Sequence, residues 1–122
     1  MRSDLIKKLF DDFPIIVKDS NIYFYCGDGW FDLIYECFEK IEQLAASEFN
    51  SDLNITFVKE KLGSIRIHTS TTNVEVEKTL NEAYNRSQIT CENCGKPGQY
   101  FKTRSHWMMV RCDSCKNIER LT

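Results

Sequence analysis

The sequence predicts an α+β fold in which one long helix packs on a small antiparallel sheet and a four-cysteine zinc ribbon closes the C-terminus. Three observations lead there. Apolar residues recur at three- and four-residue spacing from Gly29 to Glu48, the mark of an amphipathic helix. Two β-rich runs between Leu53 and Ile67 alternate around a short glycine turn, the mark of a half-buried hairpin. Two Cys-x-x-Cys pairs, Cys91/Cys94 and Cys112/Cys115, lie seventeen residues apart. The expected division is an α+β domain over 1–90 and a ribbon over 91–122.

Composition sets the class. With 42% hydrophobic and 28% charged residues among 122, the chain reads as folded and globular. It has no apolar run of membrane-spanning length, and Met1-Arg2-Ser3-Asp4 does not begin a signal-peptide core. Paired thiols without an export signal are expected in a reducing compartment, here the cytoplasm. The net charge of −2 is uneven. From Cys91 onward six basic residues face three acidic ones, leaving −5 on the first 90 residues.

Taken in order, Leu5, Ile6, Leu9, Phe10 and Phe13 mark a first helix that Ser3 or Asp4 caps and Pro14 ends. Pro14–Val17 and Ile22–Cys26 read as a hairpin around Lys18-Asp19-Ser20-Asn21. Asp28 is placed to cap the long helix, whose apolar face is Trp30, Leu33, Ile34, Cys37, Ile41, Leu44 and Ala45. In the hairpin from Leu53, pairing Glu60 with Ser64 across Lys61-Leu62-Gly63 sets Phe57 opposite Ile67 on the buried face. Val58 then faces Arg66, and Thr56 faces His68. A last helix spans about Asn73 to Ser87, with Val74, Leu80, Ala83 and Tyr84 inward.

The cysteine pairs carry the most specific chemistry. A Cys-x-x-Cys turn brings two sulfurs to one side of an ion, and four thiolates make a closed tetrahedral site. Gly95 and Asn117 follow the pairs where a knuckle turn needs left-handed backbone. Gln99–Lys102 and Trp107–Arg111 supply two strands, with Pro97-Gly98 and Arg104-Ser105 as loops. A thioredoxin-like redox motif comes singly on a βαβ unit, a pattern the sequence does not display. One structural Zn2+ is the expected cofactor, and iron in the same cage is the alternative.

Other candidate sites are weaker. Asp28-Gly29-Trp30 opens a helix but lacks a phosphate-loop pattern, so a cap and a core tryptophan account for it. Lys59, Lys61 and Arg66 gather on one turn, where they either blunt a sheet edge or receive an anion. With Asp28 and Trp30 they form the expected ligand or partner site. In the ribbon, Lys102, Arg104, Trp107 and Arg111 could contact nucleic acid. The plain alternative is that the ribbon aromatics pack inward; a metal-loaded ribbon carries only about +1, which favours it. His68 and His106 lack metal-ligand spacing, and Cys26 and Cys37 read as buried thiols.

The order Cys26-Gly27-Asp28-Gly29-Trp30-Phe31, Lys59-Glu60-Lys61-Leu62-Gly63-Ser64-Ile65-Arg66, then the two cysteine pairs with Trp107 between, resembles a group of small bacterial, prophage and phage proteins. The resemblance covers Cys26 to Cys115. It implies a bacterial or phage origin and a shared site around Asp28, Trp30, Lys59 and Arg66, with no activity to carry over. Leu62 departs from it, standing where an aromatic is expected. The functional expectation is a non-enzymatic binding or adaptor protein with a protein partner and no membrane contact. The alternatives are a nucleic-acid-binding regulator acting through the ribbon, or a small anionic ligand (nucleotide) binding protein or hydrolase using the Lys59–Arg66 turn.

Overall fold

A computed structural model describes residues 1–47 and 52–116, so Glu48, Asn117 and Arg120 lie outside the described residues. The chain is mixed α and β: α1 (Ser3–Asp12), β1 (Tyr23–Tyr25), a 3-10 turn (Asp28–Trp30), α2 (Phe31–Ser47), β2 (Ile55–Lys61), β3 (Ser64–Thr69), α3 (Val74–Ser87), β4 (Gln99–Lys102) and β5 (Met108–Arg111).

The larger sheet has the order β1-β2-β3 and is not purely antiparallel. β2 and β3 are antiparallel, while β1 runs parallel to β2, with Tyr23 beside Phe57 and Tyr25 beside Lys59. Parallel neighbours need a crossover, and α2 supplies it, so β1–α2–β2 is a βαβ unit. The unit is hard to see in the sequence because β1 is three residues long. Both cysteine pairs lie outside it.

The expected hairpin over Pro14–Cys26 does not form. After α1 the chain makes one more helical turn, in which the Val17 N–H donates to the Phe13 carbonyl at 2.8 Å. Glu42 of α2 then accepts from the Ile15 and Ile16 N–H groups at 3.0 and 2.9 Å, and the Ile16 carbonyl accepts from Ile55 N–H at 2.8 Å. A carboxylate from another element takes the bonds that a partner strand would have taken, because Pro14 cannot donate to a ladder.

The β2–β3 register is one residue from expectation. Leu62 and Gly63 form a two-residue turn with φ of 53° and 83°, so Lys61 pairs with Ser64, Lys59 with Arg66, Val58 with Ile67 and Phe57 with His68. Positive φ at both central residues matches the right-handed twist of the strands. Since side chains alternate, the slip moves Phe57 off the core face and puts Val58 on it. An irregularity between Ile55 and Phe57 resets the parity, and Ile55 and Val58 are both fully buried.

The helices cover one face of this sheet. Leu9, Phe13, Phe24, Trp30, Phe38, Ile41 and Val58 belong to one buried cluster, in which the Phe13 and Phe38 rings meet edge to face at 5.7 Å. Trp30 is fully enclosed. In α3 the inward stripe is Val76, Thr79, Ala83 and Ser87, whereas Val74 is 81% exposed. Asn73 fixes that phase, its side chain accepting from Val76 N–H at 2.9 Å as the N-cap. No helix among the described residues is long and apolar enough to cross a membrane.

Leu62 holds left-handed backbone while 62% exposed, a conformation that costs a side-chain-bearing residue about 1 kcal/mol or more. Leu62→Asn should therefore stabilise the fold by about 1 kcal/mol, raising the melting temperature by roughly 3–6 °C. A thermal scan checks this, and an unchanged or lower midpoint would deny the strain.

Candidate metal centre

The four cysteines converge as the spacing requires. The sulfurs of Cys91, Cys94, Cys112 and Cys115 all lie within 4.8 Å of one another. Cys94 Sγ and Cys112 Sγ are 3.6 Å apart, close to the roughly 3.8 Å edge of a tetrahedron with metal–sulfur bonds of about 2.3 Å. All four thiols are free. The donor set fits a four-coordinate soft-ligand metal and leaves no protein position open.

Two knuckle turns build the quartet. In the first, Gly95 takes φ 84°, its N–H donates to the Cys91 carbonyl at 2.9 Å, and Cys91 N–H donates to the Lys96 carbonyl at 2.8 Å. In the second, the Cys115 and Lys116 N–H groups donate to the Cys112 carbonyl at 3.1 and 2.9 Å. The strands between them pair Gln99 with Arg111 and Lys102 with Met108. Polar hydrogens are aimed at the sulfurs, the Asn93 amide donating to Cys115 Sγ at 3.3 Å. Burial pushes the Cys91 thiol up, but the backbone N–H groups of Cys112, Cys94 and Asn93 outweigh it and bring it down to about 7. Cys94 goes the other way. The Lys96 N–H pulls it down, yet desolvation and the three neighbouring thiols raise it to about 11. A bound cation removes that conflict by favouring all four thiolates at once.

The lobe is seated on the segment Gly27–Trp30. Gly29 N–H donates to the Glu92 carbonyl at 2.7 Å, Gly27 N–H donates to Glu92 Oε2 at 2.8 Å, and Trp30 Nε1 donates to the Thr90 carbonyl at 2.9 Å. A Cβ on Gly29 would stand 2.2 Å from the Cys91 carbonyl oxygen, and one on Gly27 2.4 Å from that of Glu92. Glycine is required at both positions by this approach of two backbones. A second contact grips the hairpin tip, where the Tyr100 hydroxyl donates to the Leu62 carbonyl at 2.8 Å and Met108 and Met109 backbone lies against Gly63.

The other candidate residues are dispersed. Asp28 caps no helix with its side chain. Its Oδ1 accepts from Arg2 N–H at 2.8 Å and its Oδ2 lies 3.4 Å from Arg2 Nε, tying down the start of α1. Trp30 is fully buried core. Lys59 and Arg66 are half-buried cross-strand neighbours, and Lys61 is exposed beside them. Lys102, Arg104 and Trp107 are exposed. Arg111 is not. It is 8% exposed and lies 3.6 Å from Glu92, itself 3% exposed. Sequence reasoning missed this pair, since a cysteine-flanked Glu and a strand Arg carry no signal that they meet.

Cys37 is enclosed between α2 and α3, where burial pushes its thiol up to about 12, so it is an inert core thiol at neutral pH. Comparison with protein families, curated proteins and solved structures found no match.

Removing one member of a buried charge pair leaves the other uncompensated. Glu92→Ala should destabilise the protein by about 3–5 kcal/mol, read from the denaturation midpoint. Glu92→Gln keeps an acceptor for Gly27 N–H and should lose distinctly less. Equal losses would mean that the charge contributes nothing.

Proposed function

We propose that the chain is a non-enzymatic binding protein whose C-terminal lobe is a ribbon held by one structural Zn2+. The observation that carries this is the sulfur quartet, closed on all four sides by protein ligands, with no position left for water or substrate. A catalytic zinc keeps such a position. Among the described residues the lobe buries only Cys91, Met109, Val110, Cys112 and Cys115 as apolar core, too little to hold two short strands without a further bond. A metal at the quartet supplies that bond, and the lobe then holds both Gly27–Trp30 and the Leu62-Gly63 turn.

Binding rather than catalysis is supported by the roles of the reactive side chains. Cys37 is buried and protonated, Glu92 is committed to Arg111 and Gly27, and Asp28 to Arg2. The hairpin presents groups suited to recognition, cations with rings beside them.

The protein should purify with about one zinc per chain, measured by metal emission against protein concentration. Cys94→Ser should lower occupancy and destabilise the lobe. Metal-free protein with unchanged melting would refute the staple. Protons compete with the metal for sulfur, so affinity should weaken as pH falls. The sign follows from Cys91, whose thiol is drawn below its ordinary value. On Cys91 the contribution is complete above that ordinary value and lost as pH falls, whereas Cys94, raised to about 11, works the other way until a metal holds both as thiolates.

A further inference from the structure

The sheet has a second face that the helices leave open. Alternation places Tyr23, Tyr25, Phe57, Lys59, Arg66 and His68 on it, opposite the core residues Phe24 and Val58. The rings form a ladder across all three strands. Tyr23 and Phe57 stack with centroids 5.4 Å apart and planes 5° apart. Phe57 and His68 stack at 5.0 Å, again within 5°, and Tyr25 leans on Tyr23 at 4.6 Å. Thr56 Oγ1, in the irregular step of β2, lies 2.5 Å from His68 Nδ1 and fixes the last ring's orientation.

The ladder ends at a cleft of about 520 Å3 between β3, the open side of β2 and α3, whose lining includes Phe57, His68, Arg66 and Tyr84. That volume suits a small organic ligand. Phe57 covers one face of His68, and His68 is exposed and lines the cleft, so a planar ring entering there can continue the stack. Cations line the same cleft. Lys59 Nζ lies 5.1 Å from the Phe57 ring centre, and the Arg66 guanidinium lies 5.1 Å from that of Tyr84. Lys61 lines the same cleft, as does the carboxylate of Glu77. Lys59 and Arg66 are also direct cross-strand neighbours. Like charges so placed are unfavourable, and an anion between them reverses the sign.

We infer that this cleft binds a nucleotide, free or as a residue of a single strand, with its base stacked on His68 and its phosphate held by Lys59, Lys61 and Arg66. Stacked rings with flanking cations recognise a base and a phosphate together. The inference rests on the binding reading above and deepens it by naming the ligand class, while making no use of the metal's identity.

The test is a calorimetric titration of the metal-loaded full chain at low salt. The probes are the four common ribonucleoside monophosphates, adenosine, inorganic phosphate and short oligoadenylate and oligouridylate strands. At least one nucleotide or strand should bind saturably and more tightly than phosphate or adenosine. His68→Ala and Arg66→Ala should each weaken it by roughly 5- to 100-fold. Tighter binding of a strand than of its monophosphate identifies nucleic acid as the source, and equal binding identifies the free nucleotide. No saturable binding of any nucleotide or strand would overturn the proposal, as would phosphate binding as tightly as the nucleotide, or affinity unchanged in both variants. Metal content and melting are read on the same samples. A variant that keeps its zinc and its midpoint but loses the nucleotide indicts the cleft, whereas loss of zinc indicts the staple. His68 is exposed and its replacement spares the core; Lys59→Ala provides a second variant should Arg66→Ala unfold.

Discussion

The placement of the described four-cysteine lobe depends on how closely the Cys91-Glu92 backbone approaches Gly27 and Gly29. At that contact two main chains meet with no side chain between them, and the Glu92 carbonyl and carboxylate satisfy two N–H groups ahead of α2. Each such bond contributes only about 1 kcal/mol. The contact matters more for what it positions. It sets the first knuckle of the quartet against the turn that starts α2, so the sulfur quartet and the βαβ unit share one joint. Arg111 closes the joint from the second half of the lobe, bringing a positive charge within 3.6 Å of the buried Glu92 carboxylate.

The features legible in the sequence share one property: they are short-range and periodic. The α2 face is set by a repeat of three and four, α3 by the Asn73 cap, and β4 and β5 by glycine and polar breaks within a residue of their ends. The quartet is legible because Cys-x-x-Cys carries its geometry locally. Even there, the sequence shows which sulfurs meet and not where the lobe lies. Cys26-Gly27-Asp28-Gly29-Trp30 stands out as a motif that reads as a cap and a core tryptophan, and its glycines receive another part of the same chain.

What could not be read depends on a single non-local choice in each case. A two-residue turn in place of a three-residue one moves the β2–β3 pairing by one step, and that step decides whether Phe57 or Val58 enters the core. Turn length was ambiguous because Leu62 is a poor residue for left-handed backbone. The hydroxyl of Tyr100 and the Met108-Met109 backbone, packed on the turn from 38 and more residues away, hold the shorter form. The direction of β1 was equally hidden. Three residues carry too little pattern, and Glu42, far along α2, absorbs the bonds that would have completed a hairpin.

The same slip in register produced the open aromatic face. Had Phe57 entered the core with Ile67, Lys59 would have followed it inward, and the ladder from Tyr23 to His68 would not exist. With Phe57 outside, Lys59 and Arg66 come to lie side by side on the face that the helices leave uncovered. The hairpin carrying them is held at its tip by the four-cysteine lobe and at the start of β3 by α3, where Ser87 Oγ accepts from Ile65 N–H at 3.1 Å. The tip end of β3 is therefore fixed by contacts that do not involve the stacked rings. A surface supported in this way keeps its side chains in place without a ligand, which lowers the ordering cost of binding. The four-cysteine lobe and the open face are thus parts of one construction: the first holds the hairpin on which the second is displayed.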